Sequence, residues 1–186
     1  MQTNTISLIL LILGPLLTGI GFGGMPARVY TEKDIEKRSA LMAAMTRRWV
    51  ICQAFVILGC AITVVGMFFL AGSFRAYPAT LLSLIGAVSL AIGHVFWIWH
   101  VFLRAVYPQK FTKFELPGWL LQAYSLLTLA ALAFFGAAFW VQRDFQALGG
   151  GILAATAIIF GMYLKMNDMP PFVYYTMILV TGLVLL

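Results

Sequence analysis

The sequence predicts an all-α, polytopic integral membrane protein: a bundle of six transmembrane helices with a short cytoplasmic helix before the second. Three observations carry that reading. Hydrophobic residues make up 62% of the 186-residue chain and charged residues 10%, and the mean hydropathy is +0.97. A soluble domain sits near about 45–50% apolar and 25% charged, so the apolar excess is too large for one soluble core. The apolar residues also fall in six runs, at about 6–24, 49–71, 79–103, 118–140, 148–165 and 170–186, each long enough or nearly so to cross roughly 30 Å of hydrocarbon. Finally, the 12 Lys and Arg gather in the short connections between those runs. Each run is expected to be helical, because an open strand leaves backbone groups unpaired in lipid. The whole of 1–186 reads as a single transmembrane domain.

The first run follows Met1-Gln2-Thr3-Asn4-Thr5, which has neither the basic n-region nor the small-residue cleavage site of a secretory signal. It is expected to be retained as a span. Gly19-Ile20-Gly21-Phe22-Gly23-Gly24 superficially resembles a phosphate-binding loop, but it follows no strand and lacks the closing Gly-Lys-Ser/Thr. Its expected roles are close helix packing and termination of the span.

In the first loop Thr31 and Asp34 have capping-box spacing. They predict a cytoplasmic amphipathic helix over 31–48, with Ile35, Met42, Met45 and Trp49 on one face and Arg47-Arg48-Trp49 at headgroup level. The helix serves as an extension of span two or, alternatively, as a docking element for a partner or anionic lipid. Within span two, Cys52, Gly59 and Gly66 recur every seven residues. With no CxxC and no metal spacing, both cysteines read as packing residues.

Span three holds the only two histidines, in Gly93-His94-Val95-Phe96-Trp97-Ile98-Trp99-His100. An ionisable side chain in a span is costly and marks a candidate site. Ala87, Leu90 and Trp97 share the face of His94, with Ser83 and Gly86 beside it. His94 is therefore expected to point into the bundle as a neutral ring bonded to a hydroxyl, amide or carbonyl. His100 lies some 120° around the helix and close to the interface, where a polar interfacial role is expected. Trp99 reads as an interfacial belt residue, and Trp97 as a deeper one on the His94 face.

Span four opens with Glu115-Leu116-Pro117-Gly118-Trp119 and span six with Asp168-Met169-Pro170-Pro171-Phe172. Both place an acid and Pro where a helix start favours them and an aromatic at the interface. The echo reads as one solution to one boundary problem. The long first loop has no counterpart after span four, which argues against an inverted-repeat transporter. Ala154, Ala157 and Gly161 form a small-residue packing stripe on span five. Span six rises only about 25 Å from Pro170, and the carboxylate of Leu186 is expected to reach the far interface or a wet crevice.

Orientation follows from the loop charges. The first, third and fifth loops hold ten of the Lys and Arg, whereas the second and fourth hold only Arg75 and Arg143. The ten-charge side is expected to be cytoplasmic, with both termini outside, in the bacterial inner membrane. This placement also removes the case for nucleic acid as a partner, which the net charge of +6 would otherwise raise.

No motif for hydrolysis, nucleotide binding or a metal pair is present in the sequence. The expected function is that of a small non-enzymatic structural or accessory subunit, packing against other membrane proteins or copies of itself in membrane lipid. The alternative is a binding module for an apolar ligand or cofactor centred on His94: a quinone, lipid or carotenoid, with haem ranked below these. Its contacts would be Trp97, Gln53, Tyr124, Tyr175 and His100, in a pocket between spans two, three, four and six that opens to the cytoplasmic leaflet. A transporter of a neutral or lipophilic substrate ranks third.

Overall fold

A computed structural model describes residues 4–166 and 169–186. The fold is all-helical, with no strand among the described residues. In chain order the helices are α1 (Thr5–Gly24), α2 (Ala27–Thr31), α3 (Ile35–Ala44), α4 (Thr46–Ala71), α5 (Ala79–Val106), α6 (Pro108–Thr112), α7 (Gly118–Val141), α8 (Gln146–Met166) and α9 (Phe172–Val184), with a 3₁₀ turn over Arg143–Phe145 leading into α8. Five of them, α1, α4, α5, α7 and α8, are long and apolar enough to cross a membrane. The sixth expected run yields α9, whose 13 residues rise about 20 Å. Asp168, half of the acid–Pro echo, and Met1, Gln2 and Thr3, which open the expected retained span, lie outside the described residues.

Each long helix packs against its neighbour in sequence: α1 on α4, α4 on α5, α5 on α7, and α7 on α8. The short α9 returns to lie against α1. Small residues set the α1–α4 crossing, as the glycine pattern predicts. A Cβ at Gly21 would stand 2.8 Å from the carbonyl oxygen of Cys52, and one at Gly59 would stand 2.6 Å from that of Gly14. Any side chain at either position would push the two backbones apart. Gly66 meets Leu10 and Leu11 one heptad further along. Gly19 and Gly23 face open space instead, so only part of the glycine run is used for packing.

The expected continuous helix over 31–48 is broken. Thr31 ends α2, and Asp34 is the true cap of α3, its carboxylate accepting from the N–H groups of Glu36 (2.9 Å) and Lys37 (3.2 Å). A second break at Met45 separates α3 from α4. Ile35 is consequently exposed, while Met42 and Trp49 are buried on different helices. Two short helices in place of one rod let this segment fold back over the helix ends. There it meets α6, with Ser39 Oγ 3.0 Å from Thr112 Oγ1 and the ring of Tyr30 edge-on to Phe111 at 5.8 Å. The first and third loops thus form one cap at one end of the bundle, as helices alternating in direction require.

The stripe of Ala154, Ala157 and Gly161 does not pack within the chain. All three are exposed, and α8 buries Gly149, Ile152, Thr156, Ile159 and Tyr163 against α7 instead. Small residues on a membrane helix mark a face that admits close approach, and here the approach is left open to whatever lies outside.

Candidate functional site

The inner face of α5 is the one the periodicity selects: Ser83, Gly86, Ala87, Leu90, Gly93, His94 and Trp97 are all buried. Gly93 lets α7 come close, and His94 reaches the middle of the bundle. Its Nδ1 lies 2.9 Å from the carbonyl oxygen of Leu90, one turn back, and its Nε2 lies 3.0 Å from the hydroxyl of Tyr175 on α9. The same hydroxyl lies 2.8 Å from Sγ of Cys60 on α4.

The proton positions follow from what each group can do. A carbonyl only accepts, so Nδ1 carries a hydrogen. No carboxylate lies on any of these helix faces to stabilise an imidazolium, so Nε2 presents a lone pair and accepts from Tyr175. The single Tyr175 proton is then committed, and the Cys60 thiol must be the donor to its oxygen. The result is a directed chain, Cys60 S–H to Tyr175 O–H to His94 Nε2, closed by His94 Nδ1–H on Leu90. Both ring nitrogens are engaged, and axial ligation of a haem iron by His94 would require breaking the bond to Tyr175.

Aromatic rings enclose this centre. Tyr124 on α7 meets His94 edge-on at 5.5 Å and stacks on Trp97 at 5.1 Å. Trp97 stacks in turn on His100 at 5.7 Å with an interplanar angle of 18°. His100 is thus buried and joins the cluster through Trp97, contrary to the expected interfacial placement. Near the cap the buried stripe of α5 widens to take in His100, Val101 and Arg104. Trp99 is 56% exposed and faces away from the cluster. Gln53 is fully buried but stands apart from the chain, its Nε2 directed at Sδ of Met25 at 3.4 Å. The six sequence-selected residues therefore divide: His94, Trp97, Tyr124 and Tyr175 meet, His100 extends their stack, and Gln53 does not join.

Several polar atoms at this centre have no hydrogen-bond partner. The Trp97 indole N–H approaches Cys60, and the Tyr124 hydroxyl lies beside those of Tyr175 and Thr128, without any of these three contacts reaching hydrogen-bond geometry. The indole N–H can only donate, whereas the hydroxyls can donate or accept. Beside them, an open apolar groove of about 390 Å³ runs between α1 and α9, lined by Pro15, Leu16, Gly19, Phe22, Tyr175 and Leu179, among others. Two lining residues also touch the centre: Tyr175, which bonds His94, and Phe22, whose ring lies 6.3 Å from Trp97.

Cys60 is the member of this cluster that the sequence did not reveal: it reads as a packing residue there, because its partner lies 115 residues away.

A second polar cluster sits in the cap. Arg104, in the last turn of α5, is 4% exposed and lies over the rings of Phe111 (4.5 Å), Trp49 (5.2 Å) and Tyr30 (5.5 Å). Its guanidinium donates to the Tyr30 hydroxyl, which donates to Sδ of Met25 at 2.8 Å. Trp49, expected at headgroup level, is instead buried, with its indole N–H on the carbonyl of Arg104 at 2.9 Å. Arg38, 2% exposed, lies over Phe114 (4.1 Å) and Phe111 (4.9 Å). Desolvation of the Tyr30 hydroxyl raises its pKa, with the Arg104 charge opposing the rise; desolvation lowers that of Arg38. Both arginines read as ordinary loop charges in the sequence, and neither is one.

No protein-family model, no curated protein and no solved structure matches the chain.

Proposed function

We propose that the chain is a six-span protein of the bacterial cytoplasmic membrane that binds an apolar, ring-bearing lipid with hydrogen-bond-accepting oxygens, of the quinone class. The observation that carries this reading is the α1–α9 groove with Tyr175 in its wall. The groove volume lies within the roughly 300–1,000 Å³ of small-ligand sites. Behind its wall stand the unmatched Trp97 indole N–H and the hydroxyls of Tyr124 and Thr128, and a carbonyl-bearing ring that displaces Phe22 would supply acceptors for them. The six-span count is supported by α9 running antiparallel to α1, with Tyr175 near Phe22 and Gly182 against Leu11 and Ile12. Loop charge then sets the cap inward and both termini outward.

The test uses decylubiquinone added to protein in lipid nanodiscs. Saturable quenching of tryptophan fluorescence is expected, and Trp97→Phe should remove the saturable part. Gly19→Leu fills the groove at a position where a Cβ meets nothing within 4 Å, so the fold should survive and saturation should be lost. Saturation unaffected by Gly19→Leu would overturn the assignment of the groove. For orientation, single cysteines at Arg75 or Arg143 should label from outside in a background lacking Cys52 and Cys60, and those at Lys37 or Lys110 should not.

A second reading, that of an accessory subunit, is favoured by one observation. The outward stripe of α8 borders a groove of about 420 Å³ against α7, lined by Ala130, Ala133, Ala157 and Leu153, among others. Small residues there admit a partner's helix. Crosslinking from a cysteine at Ala154 to another chain would support this role, which is compatible with lipid binding at α1–α9.

A further inference from the structure

The geometry points to a phosphate-type oxyanion held in the cap between Arg38 and Arg104. Both guanidinium groups lie against one ring, 4.9 Å and 4.5 Å from the centroid of Phe111. Both arginines are almost wholly buried, and neither forms a salt bridge with a carboxylate among the described residues. Of the nearby acids, Asp34 caps α3 and pairs with Lys37 and Glu32 accepts from the N–H of Asp34, while Glu36 and Glu115 are exposed and form no salt bridge with either arginine among the described residues. Two uncompensated charges beneath one surface are costly, and a buried cation is ordinarily paired.

The aromatic rings do not remove that cost. A ring attracts the face of a guanidinium, whereas the N–H groups project in its plane and need oxygen acceptors. Nε and Nη1 of Arg38 and Nε of Arg104 are buried with no acceptor. Water could accept from them but would leave both charges uncompensated. A tetrahedral oxyanion supplies several acceptors and the missing negative charge together, and arginine is suited to it geometrically.

The loop that covers Arg38 is built for that position at a cost. Glu115 N–H bonds the carbonyl of Lys110 at 2.9 Å and Phe114 N–H that of Phe111 at 3.2 Å, which closes α6 as a Schellman turn. Its left-handed position, usually glycine, is Phe114 at φ 59°. A bulky residue there is disfavoured by roughly 1–2 kcal/mol, and what the chain obtains is a ring over Arg38. Phe114 is 72% exposed, so it is a cover that the oxyanion can displace.

A phospholipid headgroup and free phosphate share this chemistry, and thermal unfolding of the full chain separates them. The midpoint is measured in uncharged detergent with sodium phosphate against sodium chloride at equal ionic strength, and with phosphatidylglycerol against phosphatidylcholine. A rise with phosphate identifies free phosphate or a phosphate ester, whereas a rise with phosphatidylglycerol alone identifies a headgroup. In either case Arg38→Gln should weaken half-saturation by about tenfold or more, the loss of one charged hydrogen-bonding partner. Exposed Arg47→Gln should leave it unchanged. Arg38 lies near the surface, so its variant serves if Arg104→Gln fails to fold. No rise with either ligand, or an equal response in Arg38→Gln, would overturn the site.

Discussion

The His94 centre and the arginine cap are both buried polar clusters ringed by aromatic side chains, and they solve burial differently. At His94 every charge has been avoided: the residues are neutral, and the central donors and acceptors close a directed chain from Cys60 to Leu90. At the cap two full charges are kept, held by ring faces and one tyrosine hydroxyl with no counter-ion among the described residues. Between helices in lipid, an unmatched polar group finds no water to replace a lost partner. At the bundle end, water and headgroups are near and an external ion can complete the site. The contrast teaches that the bundle centre closes its hydrogen-bond chain with neutral groups and leaves only neutral polar atoms unmatched, whereas the cap leaves two charges for an outside group to complete.

The largest expected effect tests that difference directly. His94→Leu strands the Tyr175 hydroxyl and should lower stability by about 2–4 kcal/mol, read as a drop in the thermal midpoint in mild detergent. Arg38→Met removes an unpaired charge at similar volume, loses only cation–π attraction, and should stay within about 1 kcal/mol of wild type in phosphate-free detergent. If both variants cost the same, the two clusters are alike and the comparison fails.

A smaller effect separates partnered from unpartnered hydroxyls inside the membrane centre. Tyr124→Phe removes an oxygen with no hydrogen-bond partner, so the thermal midpoint of the ligand-free protein should hold or rise slightly. Its saturable quenching by decylubiquinone should weaken. A large loss of stability without ligand would mean that Tyr124 is bonded within the protein.

Much of the bundle was legible in the sequence, because a membrane enforces the pattern it is read from. The five long helices start and end within three residues of their apolar runs, and the buried face of α5 follows from small residues at helical spacing. The kind of partner His94 would take was also legible, since no span offers a carboxylate. What escaped depends on contacts distant in the chain. The thiol of Cys60 looks like packing until Tyr175 arrives from α9. Arg38 and Arg104 look like loop charges until α3 folds onto α6, a contact whose Ser39–Thr112 bond joins residues 73 apart. His100 looked interfacial because a helical wheel ignores the cap that covers its last turns. The outward Ala154 stripe shows the converse limit: a small-residue face marks where something can pack, without saying whether the partner lies in the same chain.

The directed hydrogen-bond chain is the central claim, and the infrared S–H stretch reads it most directly. With Cys52→Ala leaving Cys60 as the only thiol, the band should stand at the lowered frequency of a hydrogen-bonded donor and move up in Tyr175→Phe, which deletes its acceptor. A Cys60 band already at the frequency of a free thiol, or one that Tyr175→Phe leaves in place, would contradict the chain.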